Sequence, residues 1–148
     1  MRAVLQRVKE ASVTVDGAIT GKIGPGLLVL LGVGKGDTDA DLDFMVDKIP
    51  ALRIFEDDAG KMNRSLMDTS KALLAVSQFT LFADTSRGRR PSFIDAMPPE
   101  EAKAMYARFC ERCRAAGLTV EEGVFAADMK VALINDGPVT IVLDSKQH

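Results

Sequence analysis

KVALINDGPVTIVLD, residues Lys130–Asp144, decides what kind of sheet this chain builds. Its halves, KVALIND and PVTIVLD, carry β-branched and aliphatic residues at the alternation of half-buried strands. LTVEEGVF, residues 118–125, lies just upstream and reads the same way. Three strand signals therefore follow one another with no helical pattern between them. A chain of parallel β-α-β units would place a helical crossover at each junction. The stretch points instead to an α+β fold with a mixed, largely antiparallel sheet or barrel-like core. Its internal obstacle is Asn135-Asp136-Gly137-Pro138, because proline has no N–H to give a ladder. A strand that stops at Gly-Pro is the expectation.

The rest of the chain fits that frame. AVLQRV and SVTVDG alternate like strands near the N-terminus, with Asp16-Gly17 as a turn. GLLVLLGV (26–33) and ALLAVSQFTLFAD (72–84) are continuous apolar runs, expected of strands buried on both faces. RIFED adds a short strand, followed by the polar loop DDAGKMNRS. Two helices separate these groups. Leu42, Met45, Val46 and Ile49 mark the first, opened near Asp37-Thr38, with Pro50 closing or kinking it. Pro98-Pro99 and Glu100-Glu101 suit the start of the second; Met105, Phe109, Cys113 and Ala116 share one face, and Gly117 supplies the stop.

At 148 residues, with no repeat or linker, residues 1–148 are read as one domain. No apolar run approaches the roughly 18–20 residues that span a bilayer. MRAVLQRVKEASVTV lacks the features of a signal peptide, so a cytoplasmic address is expected. A net charge of −2 argues against a bulk polyanion binder. Any nucleic acid would be held by a local patch, and RGRR (87–90) is the dense basic cluster; a solvated loop is the plain alternative. Cys110 and Cys113 are spaced CxxC but inside a helical pattern, with no second ligand pair for a metal. They read as thiols on a helix face.

Known nucleotide and hydrolase signatures fail in detail. In GVGKGDT (32–38) neither GxxxxGK[ST] nor GxGxxG is met, so a strand-to-helix turn is the better reading. The one histidine, His148, ends the chain and is a poor partner for a nucleophile. An enzyme built on this sequence would work without an imidazole base or a metal. SQFTL (77–81) puts polar residues at the end of an apolar run, where they could donate hydrogen bonds to a carbonyl or a developing oxyanion. Ordinary strand-end hydrogen bonding fits that pattern as well.

SQFTLFAD together with NDGPVT resembles the D-aminoacyl-tRNA deacylases. The resemblance runs through MRAVLQRV, ASVTVDG, GLLVLLGV, LRIFED, GKMN, RRPSF and ADM, and so spans nearly the whole chain in register. Phe82, where tyrosine is usual, and Pro50 in the first helix depart from it.

The resemblance implies a homodimer with two active sites at the subunit interface and no cofactor or metal. It places Ser77, Gln78, Phe79 and Thr80 in the pocket for the aminoacyl ester and terminal adenosine. It also implies a cis Gly137-Pro138 inserted from the other subunit, Phe125 and Met129 near the adenosine, and Arg7 bracing the Gly-Pro segment. The implied reaction is hydrolysis of D-aminoacyl-tRNA, and of glycyl-tRNA, with L-aminoacyl esters rejected by clash. The implied partner is aminoacyl-tRNA; the acidic pI of about 5.4 then suggests contact mainly with its acceptor end, aided by a few residues such as Arg87, Arg89 and Arg90. A non-catalytic module that binds the aminoacyl-tRNA 3′ end is the alternative.

Overall fold

In the computed structural model, which describes residues 1–147, the first strand organises the sheet. Strand β1 (Arg2–Val15) is long enough to serve two neighbours along one edge. Asp16 and Gly17 both take positive φ, 50° and 78°, the geometry a two-residue hairpin turn demands. They return the chain into β2 (Ala18–Ile23), antiparallel to Ala11–Val15. Gly24-Pro25 interrupts the return path, and β3 (Gly26–Gly32) continues it against Arg2–Val8.

Crossovers then add parallel strands. Helix α1 (Asp39–Ala51) and the small hairpin of β4 (Phe55–Glu56) and β5 (Met62–Arg64) lead to β6 (Ala72–Ser77), parallel to β3. Helix α2 (Pro99–Ala115) leads to β7 (Thr119–Glu122), parallel to β6. The last strand, β8 (Lys130–Asp144), pairs antiparallel along the other edge of β1. The sheet is therefore mixed. It also curls almost into a barrel: Gly21 of β2 lies against the Glu122 carbonyl of β7, where a Cβ would have no room.

Two cores result. On one face Leu5, Leu27, Val29, Leu31 and Leu73 meet Leu42, Met45 and Ile49 of α1 and Met105 and Phe109 of α2. Val8, Val13, Ile23, Leu28 and Val76 fill the curled side. Strands β3 and β6 are buried on both faces because one face meets each core, as their continuous apolar runs imply.

Several expectations change in detail. Strand β6 stops at Ser77 and does not reach Asp84, because its partner β3 ends at Gly32 and the ladder runs out. Strand β8 passes through Gly137-Pro138 and does not stop there. Gln6 pairs with Thr140 and Val8 with Asn135, so Asp136, Gly137, Pro138 and Val139 bulge out opposite Arg7 alone. Pro50 falls in the last turn of α1 and the helix continues to Ala51. Ala116 is an exposed C-terminal cap, outside the buried face formed by Met105, Phe109 and Cys113. Met62–Arg64, inside the expected polar loop, pairs as a strand. His148 lies outside the described residues. Among those residues no helix is long and apolar enough to cross a membrane.

The two ends of the chain meet in a buried polar cluster. The Met1 ammonium donates to Ser145 Oγ at 2.6 Å and lies 2.8 Å from Asp37 Oδ2. The Ser145 hydroxyl donates to Asp41 Oδ1 at 2.6 Å, and Lys146 Nζ to Asp41 Oδ2 at 2.9 Å. Burial pushes the Asp41 carboxyl up, but hydrogen bonds from Ser145, Thr38 and Lys146, with the ammonium, outweigh it and hold the group far below the usual range. A folded value below the unfolded one, near 3.9, contributes stability that is complete above that value. It is lost as pH falls through the folded value. Ser145→Ala is expected to cost about 1–3 kcal/mol at pH 7 and to move the acid-unfolding midpoint to higher pH. Urea titrations at pH 7 and an acid titration by circular dichroism check both.

Candidate active site

Past Ser77 the chain has no strand to pair with. Gln78 N–H makes one more bond, to Leu31 O at 2.8 Å, and Phe79–Phe82 then wind into a short 3-10 turn. Leu81 N–H bonds back to Gln78 O and Ala83 N–H to Thr80 O. The Phe79 and Thr80 N–H groups lead the turn, where no earlier carbonyl of the turn reaches them. Gln78 Nε2 donates to Thr80 Oγ1, so two side chains of the motif hold each other.

Beside this turn opens a cleft of about 640 Å³, within the range of small-molecule sites. Ser77, Gln78 and Phe79 line one wall and Phe125 and Met129 another. Phe125 is reached through the bend after β7, where Ala126 takes φ 64°. Phe93 and Ile94 stand at the mouth; Phe93 meets the half-exposed ring of Phe79 edge-on, with centroids 5.1 Å apart. Met97 and Pro98, just before α2, also line it.

The cleft is held from behind. Tyr106 of α2 donates its hydroxyl to Ala75 O at 2.9 Å, and its ring lies 6.1 Å from that of Phe125. Burial, with Cys110 and Glu122 nearby, pushes that phenol far above its ordinary value, so it acts as a fixed donor. Burial likewise pushes the Cys110 thiol up to about 12 and the Cys113 thiol to about 11. Both are buried and free, and neither carries thiolate character near neutral pH.

Arg7, Gly137 and Pro138 form a second cluster, outside the lining of this cleft. Arg7 is 7% exposed; its Nη1 donates to Ile54 O at 2.8 Å and its Nε to Asp136 O at 3.1 Å. The Gly137-Pro138 peptide is cis and both residues are exposed. Gly137 has φ 126°, and a Cβ there would stand 2.9 Å from Arg7 Nη2.

The D-Tyr-tRNA(Tyr) deacylase family pattern matches residues 4–144. The chain is 68% identical, over 98% of its length and 95% of the relative's, to a D-aminoacyl-tRNA deacylase of Myxococcus xanthus. The chain belongs to this family. A D-aminoacyl-tRNA deacylase of Desulfitobacterium hafniense is 57% identical over 100% of the chain and 99% of its own length. A solved structure of a c-Myc DNA Unwinding Element Binding Protein is 47% identical, with TM-score 0.91 over 97% of this chain and 98% of that one.

In this deacylase-family chain the residues named from sequence divide into two places. Ser77, Gln78, Phe79, Phe125 and Met129 line one cleft, and Thr80 sits at its edge bonded to Gln78. Arg7, Gly137 and Pro138 lie together elsewhere. Sequence reasoning missed Ile94, Met97 and Lys35 as lining residues. Ile94 carried a signal: it is a large apolar side chain that a polar loop leaves 72% exposed. Lys35 lay in the glycine-rich turn set aside as a phosphate loop, and nothing in one dimension joins it to SQFT.

Proposed function

We propose that this protein hydrolyses the ester joining a D-amino acid to the 3′ end of tRNA, releasing both. The observation that carries the reading is the joining of SQF with Phe125 and Met129 around one apolar cleft, in a chain of this family. Its aromatic and aliphatic walls suit an adenine ring, and the Phe79 and Thr80 N–H groups suit the oxygen that becomes negative as the carbonyl turns tetrahedral.

The nucleophile in this reading is water, assisted by the substrate's own ribose 2′-hydroxyl. Thr80 Oγ1 is engaged by the Gln78 amide, and an amide is no base to take its proton. Chiral selection comes from a homodimer in which Gly137-Pro138 of a second copy completes each cleft. Support lies in the position of that segment: it belongs to a bulge of β8, exposed, braced by Arg7 and outside the lining of the SQF cleft of its own chain. Carbonyl oxygens held against the substrate Cα admit hydrogen and exclude a side chain, so L-esters are rejected. Glycyl-tRNA, with no side chain to exclude, passes as well.

Single-turnover deacylation of D-tyrosyl-, L-tyrosyl- and glycyl-tRNA tests the whole reading. The D-ester and the glycyl ester are expected to be lost rapidly and the L-ester no faster than in buffer. Thr80→Ala is expected to slow the D-reaction about tenfold without abolishing it, as a positioning group would. Loss of neither tyrosyl ester above the buffer rate sinks the enzyme and leaves a 3′-end binding module.

A further inference from the structure

One cation, Lys35, lines the cleft, and a basic loop leads into its mouth; the SQFT and Gly-Pro segments explain neither. After the 3-10 turn, Asp84 and Ser92 form a two-way bridge, Asp84 N–H to Ser92 O at 2.8 Å and Ser92 N–H to Asp84 O at 2.9 Å. This pins the base of a loop whose tip carries Arg87, Arg89 and Arg90 around Gly88, at φ 72°. The loop's returning leg runs straight into Phe93 and Ile94 at the cleft mouth. One residue on, Asp95 O accepts from Lys35 N–H at 2.8 Å, and Ala96 bridges Gly34. Residues 92–96 thus tie the arginine loop and Lys35 to one side of one cleft.

The cations near the cleft are not held in ion pairs. Lys35, Arg87, Arg89 and Arg90 are exposed, and none pairs with a carboxylate among the described residues. The nearby acids are mostly occupied: Asp84 caps the Ser86 N–H at 2.9 Å and Asp128 holds Lys130 Nζ at 3.0 Å. Asp95 remains an exposed carboxylate on the rim. Lys35 lines the cleft and the three arginines sit on the loop that leads into its mouth, so in a chain of net charge −2 these four cations form a local positive field beside it.

We propose that Lys35 and the Arg87–Arg90 loop grip the backbone phosphates of the RNA acceptor end, leading its terminal nucleotide into the cleft. This deepens the reading above: the cleft takes the uncharged nucleoside and ester, and the rim takes the phosphates just 5′ of it. Lys35 lines the cleft and meets the innermost phosphate; the arginines, farther along the chain path, meet those beyond. Arginine suits such contacts through its planar fork of donors.

The test is binding of an uncharged RNA minihelix ending in CCA, followed by fluorescence anisotropy across salt concentrations. It needs no hydrolysis, so a protein that binds but does not cleave still tests the rim. Each phosphate contact contributes roughly 0.7–0.9 to the slope of log affinity against log salt, so four predict a slope near −3. R87Q/R89Q/R90Q is expected to weaken binding at least about tenfold at low salt and to bring the slope near −1. K35Q is expected to remove just under one unit, and K35R to keep it. A variant damaged only in fold loses affinity at unchanged slope. Wild-type affinity and slope in both neutralised variants, or a slope that stays near −3 in variants whose circular dichroism matches wild type, overturns the proposal.

Discussion

Gly137→Ala is expected to lower kcat/KM for D-tyrosyl-tRNA about a hundredfold, the effect of roughly 1 Å of misplacement in a positioned site. The backbone at Gly137 has φ 126°, which L side chains rarely adopt. The new Cβ would stand 2.9 Å from Arg7 Nη2 and 3.0 Å from Val139 Cγ2. Arg7 cannot readily yield: it is buried, and its bonds to Ile54 O and Asp136 O hold it from two sides. The bulge must move instead. Because the second copy's bulge is proposed to screen the substrate Cα, selectivity should change with rate. The ratio of D- to L-tyrosyl-tRNA deacylation is expected to fall. Folding stability should drop by about 1–2 kcal/mol, read by urea unfolding. An unchanged rate and ratio would show that this segment does not select the substrate.

Gly34→Ala strikes the site from its other side. A Cβ at Gly34 would run into the ring of Phe82, the last residue of the 3-10 turn that carries Thr80. That ring has little freedom, with the Arg2 guanidinium 4.5 Å from its centroid and Gly32 so close that a Cβ there would stand 3.3 Å from the ring. Overpacking of this kind costs about 1–3 kcal/mol and displaces the turn. The deacylation rate is expected to fall at least about tenfold. A second change separates the cause from a general loss of fold: Phe82→Leu added to Gly34→Ala should restore much of the rate by opening space. Thermal unfolding and single-turnover rates for the two variants decide it. If the double variant stays as slow as Gly34→Ala, the ring contact is not what positions the turn.

The contrast between sequence and structure is sharpest at SQFT and Gly-Pro. The apolar run from Ala72 suggested a strand to Asp84, since period and hydrophobicity do not register where a neighbour ends. Strand β3 ends at Gly32, so β6 must end at Ser77 and the polar residues turn outward. At Gly-Pro the error ran the other way. A proline without a donor suggested a stop, yet β1 on one side and a bulge opposite Arg7 let β8 continue. The missing N–H falls where the ladder is already open.

Patterning along the chain was enough for the mixed α+β class, the helix placed from Leu42 to Ile49 and the two cysteines on one helix face. Those properties depend on side-chain periodicity and on local turn and cap chemistry, which neighbours in sequence set among themselves. Tertiary structure alone decided that SQF, Phe125 and Met129 share a cleft and that Lys35 joins the arginine loop on its rim. It also decided that Gly137-Pro138 lies outside that cleft. Each of these joins residues far apart in sequence through strand pairing and loop closure, and their mutual positions follow from the packed sheet as a whole.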